Sequence, residues 1–106
     1  MNEVKLRGRV VNQSRVKSTG TTKCMFNIEV KRTHAFLLDS NQCDNPKVIA
    51  YGDVAKDFLR NMKRGDVVTV TGWIRTSVLS SEGINSYVTE IIADKIVKEE
   101  ELNESL

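Results

Sequence analysis

The sequence contains little of what a catalytic, metal-binding or membrane-spanning protein needs. Its 106 residues include one histidine and two cysteines, and the cysteines lie far apart without a CxxC motif. Metal sites need closely spaced ligands, and the sequence shows no Ser/His/Asp or Cys/His constellation that would activate a nucleophile. No run of about 18 apolar residues is present to span a membrane. We therefore expect no enzymatic activity, no cofactor and no metal site.

The compartment follows from the N-terminus and the cysteines. The opening "MNEVKLRGRV" carries charges where a signal peptide would have its apolar stretch, so we do not expect secretion. Cys24 alternates with Phe26 and Ile28 and is predicted to be a buried free thiol, whereas Cys43 falls in a polar segment. Two unpaired cysteines fit a reducing compartment, and the cytoplasm is the expected location.

Positive charge is abundant, and it is unevenly distributed. Residues 1–98 contain all 16 lysines and arginines but only 10 acids, a net charge of +6, while residues 99–106, "EEELNESL", contain four glutamates and no base. We expect one domain over residues 1–98 and a short, disordered acidic tail over residues 99–106. A basic domain favours a polyanionic partner, although a merely solvated surface would have the same composition.

The apolar residues recur with a period of two along most of the chain, which predicts strands. Five strands are predicted, in "EVKLRGRVV", "KCMFNIEVKR", "KVIAYG", "DVVTVTGWIRT" and "SYVTEIIADKIVK"; Ile91 and Ile92 leave the register of the last one open. The segment "GDVAKDFLRNMKRG" has helical spacing, with Asp53 as the predicted N-cap and Gly65 as the end. The segments "NQSRVKSTGTT", "THAFLLDSNQCDN" and "SVLSSEG" are predicted loops. Five strands with one helix between the third and fourth predict an all-β fold, the OB-fold Greek-key barrel.

Cations and a few aromatic residues are the candidate binding groups. Cations can follow the phosphates of a single-stranded nucleic acid while aromatic rings stack on its bases. The candidates are Lys5, Arg7, Arg9, Arg15, Lys17, Lys23, Lys31, Arg32, Lys47 and Arg75, together with Phe36, Tyr51 and Trp73. The cations could instead only solubilise exposed strands. Tyr51 could pack against the helix, and the outward-facing Trp73 could contact bases or another subunit.

Four segments, in order and at similar spacing, resemble the single-stranded DNA-binding protein family and its smaller relative, the primosomal protein PriB. They are "NEVKLRGRVV", "NIEVKRTHAF", the ungapped block "VIAYGDVAKDFLRNMKRGDVVTVTGWIRT", and "TEIIADKI". The resemblance implies that Phe36 and Tyr51 stack on bases. Two further stacking tryptophans of the family have no counterpart, since Asn45 and Leu79 stand at or near those places.

The resemblance also implies a role and an assembly. We expect a bacterial, phage or plasmid-encoded protein that coats single-stranded DNA in replication, recombination or repair. Pairing of first strands between subunits implies a homodimer, and a homotetramer is common in the family. A PriB-like restart factor with helicase partners is one alternative, because the tail lacks the family's aspartate-rich Pro-Phe ending. A protein-interaction OB module without a nucleic-acid role is the other.

Overall fold

Five strands of the chain form a closed ring, and a sixth, very short strand is attached to its side. The structure is a computed structural model that describes residues 1–18, 20–33 and 42–100, with the side chains of residues 15–18 excluded. The elements are β1 (Val4–Ser18), β2 (Thr21–Lys31), β3 (Cys43–Asp44), β4 (Lys47–Tyr51), α1 (Gly52–Asn61), β5 (Val67–Ser81) and β6 (Ile84–Lys98). The ring runs β1-β5-β6-β4-β2 and closes through β1–β2, while β3 pairs only with β2. The predicted five-stranded barrel with one helix before its fourth strand is confirmed, and β3 is an addition.

The core lies inside the ring and is closed at one end by α1. Every second residue of β2 points inward, so Cys24, Phe26 and Ile28 are almost completely buried. Phe58 of α1 stacks on Phe26 with 4.1 Å between ring centroids. Burial in this apolar interior raises the pKa of the Cys24 thiol to about 11, so the thiol is protonated at neutral pH.

The helix begins one residue before the predicted N-cap. Tyr51 is the N-cap and makes no side-chain capping bond, and Asp53 lies within the first turn. Gly52 has φ of 60°, a conformation that lets the chain turn directly from β4 into the helix. The helix ends at Asn61, so Gly65 does not terminate it; Gly65 has φ of 98° and belongs to the turn before β5.

Two of the predicted loops are instead strand extensions. β1 and β2 continue pairing as far as Ser18 and Thr21, and β5 and β6 continue as far as Ser81 and Ile84. We call the second extension, residues 74–91, the β5–β6 arm. It was predicted to contain a loop because its polar serines interrupt the alternation of apolar residues, but pairing of backbone groups between neighbouring strands does not require apolar side chains.

The β5–β6 arm ends in a tight turn at Glu82 and Gly83. Both residues have positive φ, at 52° and 79°. Positive φ at both central residues is the mark of a type I′ turn, whose twist matches that of a hairpin. Ile74, at the base of the arm, lies on the core-facing side of β5 but is 44% exposed, because the barrel ends there.

Gly72, which precedes the single tryptophan of the chain, occupies a position with no room for a side chain. It lies at an irregularity in the β5–β6 register, between the pairs Thr71↔Lys95 and Gly72↔Ala93. A Cβ atom placed on Gly72 would lie 1.9 Å from the carbonyl oxygen of Ile92, so a larger residue would push the two strands apart.

We expect Gly72→Ala to lower the free energy of unfolding by at least about 2 kcal/mol, because a backbone atom rather than a flexible side chain must move. Chemical denaturation monitored by circular dichroism measures this loss. Gly20→Ala is the control, since Gly20 has φ of 80° but open space around its Cβ position, and it should cost only about 1 kcal/mol. Equal losses in the two variants would contradict the steric explanation.

Candidate functional site

A row of large side chains crosses four neighbouring strands on the outer side of the barrel. The strand pairings Met25↔Ile49, Ile49↔Ile92 and Ile92↔Trp73 place one residue each from β2, β4, β6 and β5 side by side. These residues alternate with core residues along their strands, so they lie on the opposite face. We call this surface the outer face and the four residues the apolar row. Trp73 is 37% exposed, and the outward direction predicted for it agrees with this placement.

The side chains of Tyr51 and Arg75 partly cover the apolar row on its solvent side. Ile49 is 1% exposed and Ile92 is 6% exposed, although neither belongs to the core cluster. Tyr51 lies two residues beyond Ile49, while Arg75 pairs with a residue two positions before Ile92. A hydrogen bond of 3.2 Å, in which Nη2 of Arg75 donates to the hydroxyl of Tyr51, therefore crosses the row. This contact raises the pKa of Arg75 above its usual range, with a smaller contribution from Glu90.

Tyr51 lies at the rim of the outer face, with cations beside its ring. It is 37% exposed, so it does not pack away against the helix. Nζ of Lys23 lies 5.8 Å from the ring centroid, and Cζ of Arg75 lies 6.0 Å from it. Both cations are within the range of a cation–π contact, so a base that stacks on Tyr51 would share the ring with them.

An ionic row runs beside the apolar row. Glu90 of β6 pairs with Arg75 of β5, and its carboxylate lies 3.5 Å from Nη2 of Arg75 and 3.3 Å from Nζ of Lys47. The Glu90 side chain is 10% exposed, whereas those of Lys47 and Arg75 are 41% and 37% exposed. A buried carboxylate is stable because two cations flank it.

The cations of β1 form a second group on the outer side. Lys5 and Arg7 are exposed and pair with Thr71 and Thr69 of β5. Arg9 is used by the fold, because its guanidinium donates to the carbonyl oxygen of Gly65 at 2.8 Å. A cleft of about 190 Å³ lies at this end of the barrel and is lined by Arg7, Gly8, Arg9, Glu29, Lys31 and Val67.

Arg32 is engaged by the short strand β3. Its Nε and Nη2 atoms donate to the two carboxylate oxygens of Asp44, and Nη1 donates to the side chain of Gln42. This bidentate hydrogen bond, helped by the charge of Arg32, holds the pKa of Asp44 below its usual range. A phosphate would have to compete with Asp44 for Arg32.

The remaining predicted contacts fall partly or wholly outside the described structure. Phe36 lies outside the described residues, and for Arg15 and Lys17 only the backbone, paired with β2, is described. Within the described ranges, no group of three or more metal-ligating side chains forms a metal site. No described helix is long and apolar enough to cross a membrane.

The sequence interpretation missed the two isoleucines of the apolar row, Met25 and the acid Glu90. The signal for the isoleucines was present: Val48–Ala50 and Ile91–Ala93 are unbroken apolar runs, which are typical of strands covered on both faces. Asn2 was noted only as part of a motif. Its side-chain amide exchanges two hydrogen bonds of 2.9 Å with the backbone of Ile74, which extends the β1–β5 pairing beyond Val4.

Glu99, the first residue of the predicted acidic tail, is hydrogen-bonded to the barrel. The backbone of Glu99 donates to the carbonyl oxygen of Val67 at 2.8 Å, and its carboxylate accepts from the hydroxyl of Thr69 at 2.9 Å. Residues 101–106 lie outside the described residues. Since Thr69 pairs with Arg7, the tail leaves the barrel beside the β1 cations.

Comparison with known proteins gives a consistent assignment. The sequence matches the Single-strand binding protein family over residues 1–98. It is 29% identical to Single-stranded DNA-binding protein 1 of Clostridium acetobutylicum over 100 residues, which cover 91% of each chain. It is 33% identical to the single-stranded DNA-binding protein of Clostridium tetani, over 91% of this chain and 68% of that protein.

Solved structures with the same fold agree. The SSB domain of a Synechococcus protein superimposes with a TM-score of 0.67 at 19% identity, over 92% of this chain and 94% of that one. The N-terminal domain of PriB from Thermoanaerobacter tencongensis, solved as a dimer, gives a TM-score of 0.70 at 20% identity, over 94% and 98%. At this identity the two structures support the OB-fold alone.

The contact between Arg32 and Asp44 has a direct test in solution. We expect the Asp44 carboxyl to titrate below its usual pKa, because Arg32 stabilises the charged form, and Arg32→Gln should return the pKa to its usual range. Carbon-13 NMR of the carboxyl group measures both. Lys31→Gln, which removes the neighbouring charge but not the bidentate contact, is the control. An ordinary Asp44 pKa in the unmodified protein would mean that Arg32 is available to a ligand.

Proposed function

The chain belongs to the single-strand binding protein family, and on that premise we propose that it binds single-stranded DNA without catalysing a reaction. Its role is to coat and protect the strand in replication, recombination or repair. The observation that carries the proposal is the outer face, where the apolar row and Tyr51 offer flat and apolar surface with cations around it. Its curated relatives, named single-stranded DNA-binding proteins, support the same ligand.

The bases lie against the outer face. Tyr51 and Trp73 each expose part of an aromatic ring, and stacking on such a ring stabilises a bound base by about 1–3 kcal/mol. Stacking tolerates any base sequence, because every base has a π-face. Phe36, in the segment after β2, is a third stacking residue in this proposal.

The phosphates follow cations at the margins of the outer face. Lys5 and Arg7 are exposed on β1, and within residues 1–18, 20–33 and 42–100 neither forms an ion pair. Lys23 and Lys31 extend the positive surface along β2, and Arg15 and Lys17 are further phosphate contacts in this proposal. Arg9, Arg32, Lys47 and Arg75 remain in the proposed interface, where contacts with the protein itself hold them in place.

The assembly we propose is a homodimer through β1, with a homotetramer as the larger alternative. Val4–Gly8 pairs with β5 on one edge, and no described strand pairs with the other edge. An open edge of this kind can pair with the same edge of a second copy around a two-fold axis. Lys5 and Arg7 on the β1 surface oppose further stacking of dimers, because like charges would be buried together.

The alternative of a PriB-like restart factor has the same fold and ligand and differs in its protein partners. The likeness to PriB is at 20% identity and therefore supports the fold alone. If the chain were instead a protein-interaction module without a nucleic-acid role, it would not bind oligo(dT) even at low salt. Absence of oligo(dT) binding at low salt would therefore overturn the function proposed here.

Affinity for oligo(dT) should fall linearly on a log–log plot against salt, with a slope of about 0.7 for each phosphate contact. We expect Arg7→Ala to lower affinity and reduce the slope by about 0.7 without changing base preference. Fluorescence anisotropy at four or more salt concentrations measures this. Lys56→Ala, which removes an exposed cation on α1, is the matched control. Equal effects from the two variants would contradict a phosphate contact at Arg7.

Trp73 reports on its own site, because it is the single tryptophan. If bases stack on the outer face, oligo(dT) should quench its emission, and Trp73→Ala should weaken binding by about 1–3 kcal/mol while the fold stays intact. Phe36→Ala and Tyr51→Ala should each weaken binding over the same range. If Trp73 contacts a subunit instead, DNA will leave its emission unchanged, and the substitution will shift the sedimentation profile toward smaller species.

A further inference from the structure

Glu90 is an acid in the middle of a surface proposed to bind a polyanion. It lies on the outer face of β6, two residues before Ile92 of the apolar row, and its side chain is 10% exposed. The carboxylate contacts Nζ of Lys47 through one oxygen at 3.3 Å and Nη2 of Arg75 through the other at 3.5 Å. A single carboxylate is therefore shared by two cations and offsets one of their two positive charges.

The position of Arg75 is imposed by its neighbours. Nη2 is shared between Glu90 and the hydroxyl of Tyr51, and Nε is buried without an acceptor in the described part of the chain. A guanidinium that leaves one buried donor unsatisfied is not at its own hydrogen-bonding optimum. Glu90 and Tyr51 together hold it across the apolar row.

This arrangement treats phosphates and bases differently. A phosphate that approaches Lys47 or Arg75 is attracted by these cations and repelled by the Glu90 carboxylate between them, so the net attraction is that of one charge instead of two. An uncharged base meets no such repulsion and finds Tyr51 and Trp73 beside it. Glu90 therefore weakens phosphate binding at the centre of the outer face relative to the cations at its margins.

We propose that Glu90 is a specificity-determining residue that offsets half of the positive charge of Lys47 and Arg75 and so disfavours duplex DNA relative to single strands. The proposal rests on the function proposed above. A duplex presents its phosphates outward and keeps the faces of its bases stacked inside. At this surface it therefore presents only phosphates, which the Glu90 carboxylate repels. A single strand can turn its bases toward the apolar row and keep its phosphates at the margins.

The test is Glu90→Gln in the full chain, with affinities for oligo(dT) and for a duplex of equal length measured over a series of salt concentrations. Removing the carboxylate adds one uncompensated positive charge, so the salt slope should steepen by about 0.9 for the duplex and by at most about 0.7 for the single strand. Duplex affinity at about 0.1 M salt should rise by about eightfold, and single-strand affinity should rise less. Unchanged slopes and an unchanged ratio would overturn the proposal.

Further variants distinguish this role of Glu90 from a general effect of net charge. Glu82→Gln removes the same charge at the tip of the β5–β6 arm and should leave the ratio of the two affinities unchanged; the same shift from both variants would mean that net charge alone is responsible. The double variant Glu90→Gln/Lys47→Gln restores the net charge of the cluster, so its duplex slope should return to that of the unmodified protein. Lys47→Gln alone leaves Glu90 to offset Arg75 completely, so it should reduce the duplex slope by about 0.9; this variant tests the proposal even if Glu90→Gln alone does not fold.

The same measurements distinguish failure of this proposal from failure of the proposed function. Binding of oligo(dT) by the unmodified protein, with slopes that do not respond to Glu90→Gln, overturns only the role of Glu90. Absence of oligo(dT) binding by the unmodified protein at low salt overturns both.

Discussion

The barrel and its outer face both depend on the short parallel pairing between β4 and β6. Two residue pairs, Val48↔Ile91 and Ile49↔Ile92, join β4 to β6 within the ring of five strands. Because adjacent residues of a strand point to opposite faces, the first pair lies in the core and the second lies outside it. The pairing that joins β4 to β6 thus also creates the centre of the apolar row, and Trp73 and Met25 extend that row on either side.

Charge is arranged around this centre rather than on it. The exposed cations Lys5 and Arg7 lie on β1, beside β5, and Lys23 lies on β2, beside β4. At the centre, Glu90 offsets one of the two positive charges of Lys47 and Arg75, and Tyr51 is held by a hydrogen bond instead of by burial. In our proposal, neutral stacking surface in the middle and positive charge at the margins match a strand whose bases and phosphates can separate.

The fold could be predicted from the sequence because its signals are local. The alternation of Cys24, Phe26 and Ile28 in β2 and the helical spacing around Phe58 identify the elements, and their order identifies the barrel. The β5–β6 arm was missed because its pairing is between backbone groups and leaves no apolar pattern. Strand β3 was missed because two residues are too few to show a period.

The candidate site was only partly predictable for a different reason. Trp73 and Tyr51 could be placed on the outer face from alternation and resemblance. The ion pairs of Glu90 with Arg75 and Lys47 depend on which strands are neighbours, and β4 and β6 are far apart in sequence. The occupation of Arg32 by Asp44 likewise depends on the unpredicted strand β3. Composition counts such cations as available, whereas the structure shows what holds them.

The most direct test of the central claim is to map bound DNA on the protein by NMR. In a titration of nitrogen-15-labelled protein with oligo(dT), we predict the largest chemical-shift changes at the indole of Trp73 and at backbone amides of the apolar row and Tyr51, with smaller changes along β1. Changes confined to the β1 cations, with the outer face of β4 and β6 unaffected, would contradict the claim that bases lie there.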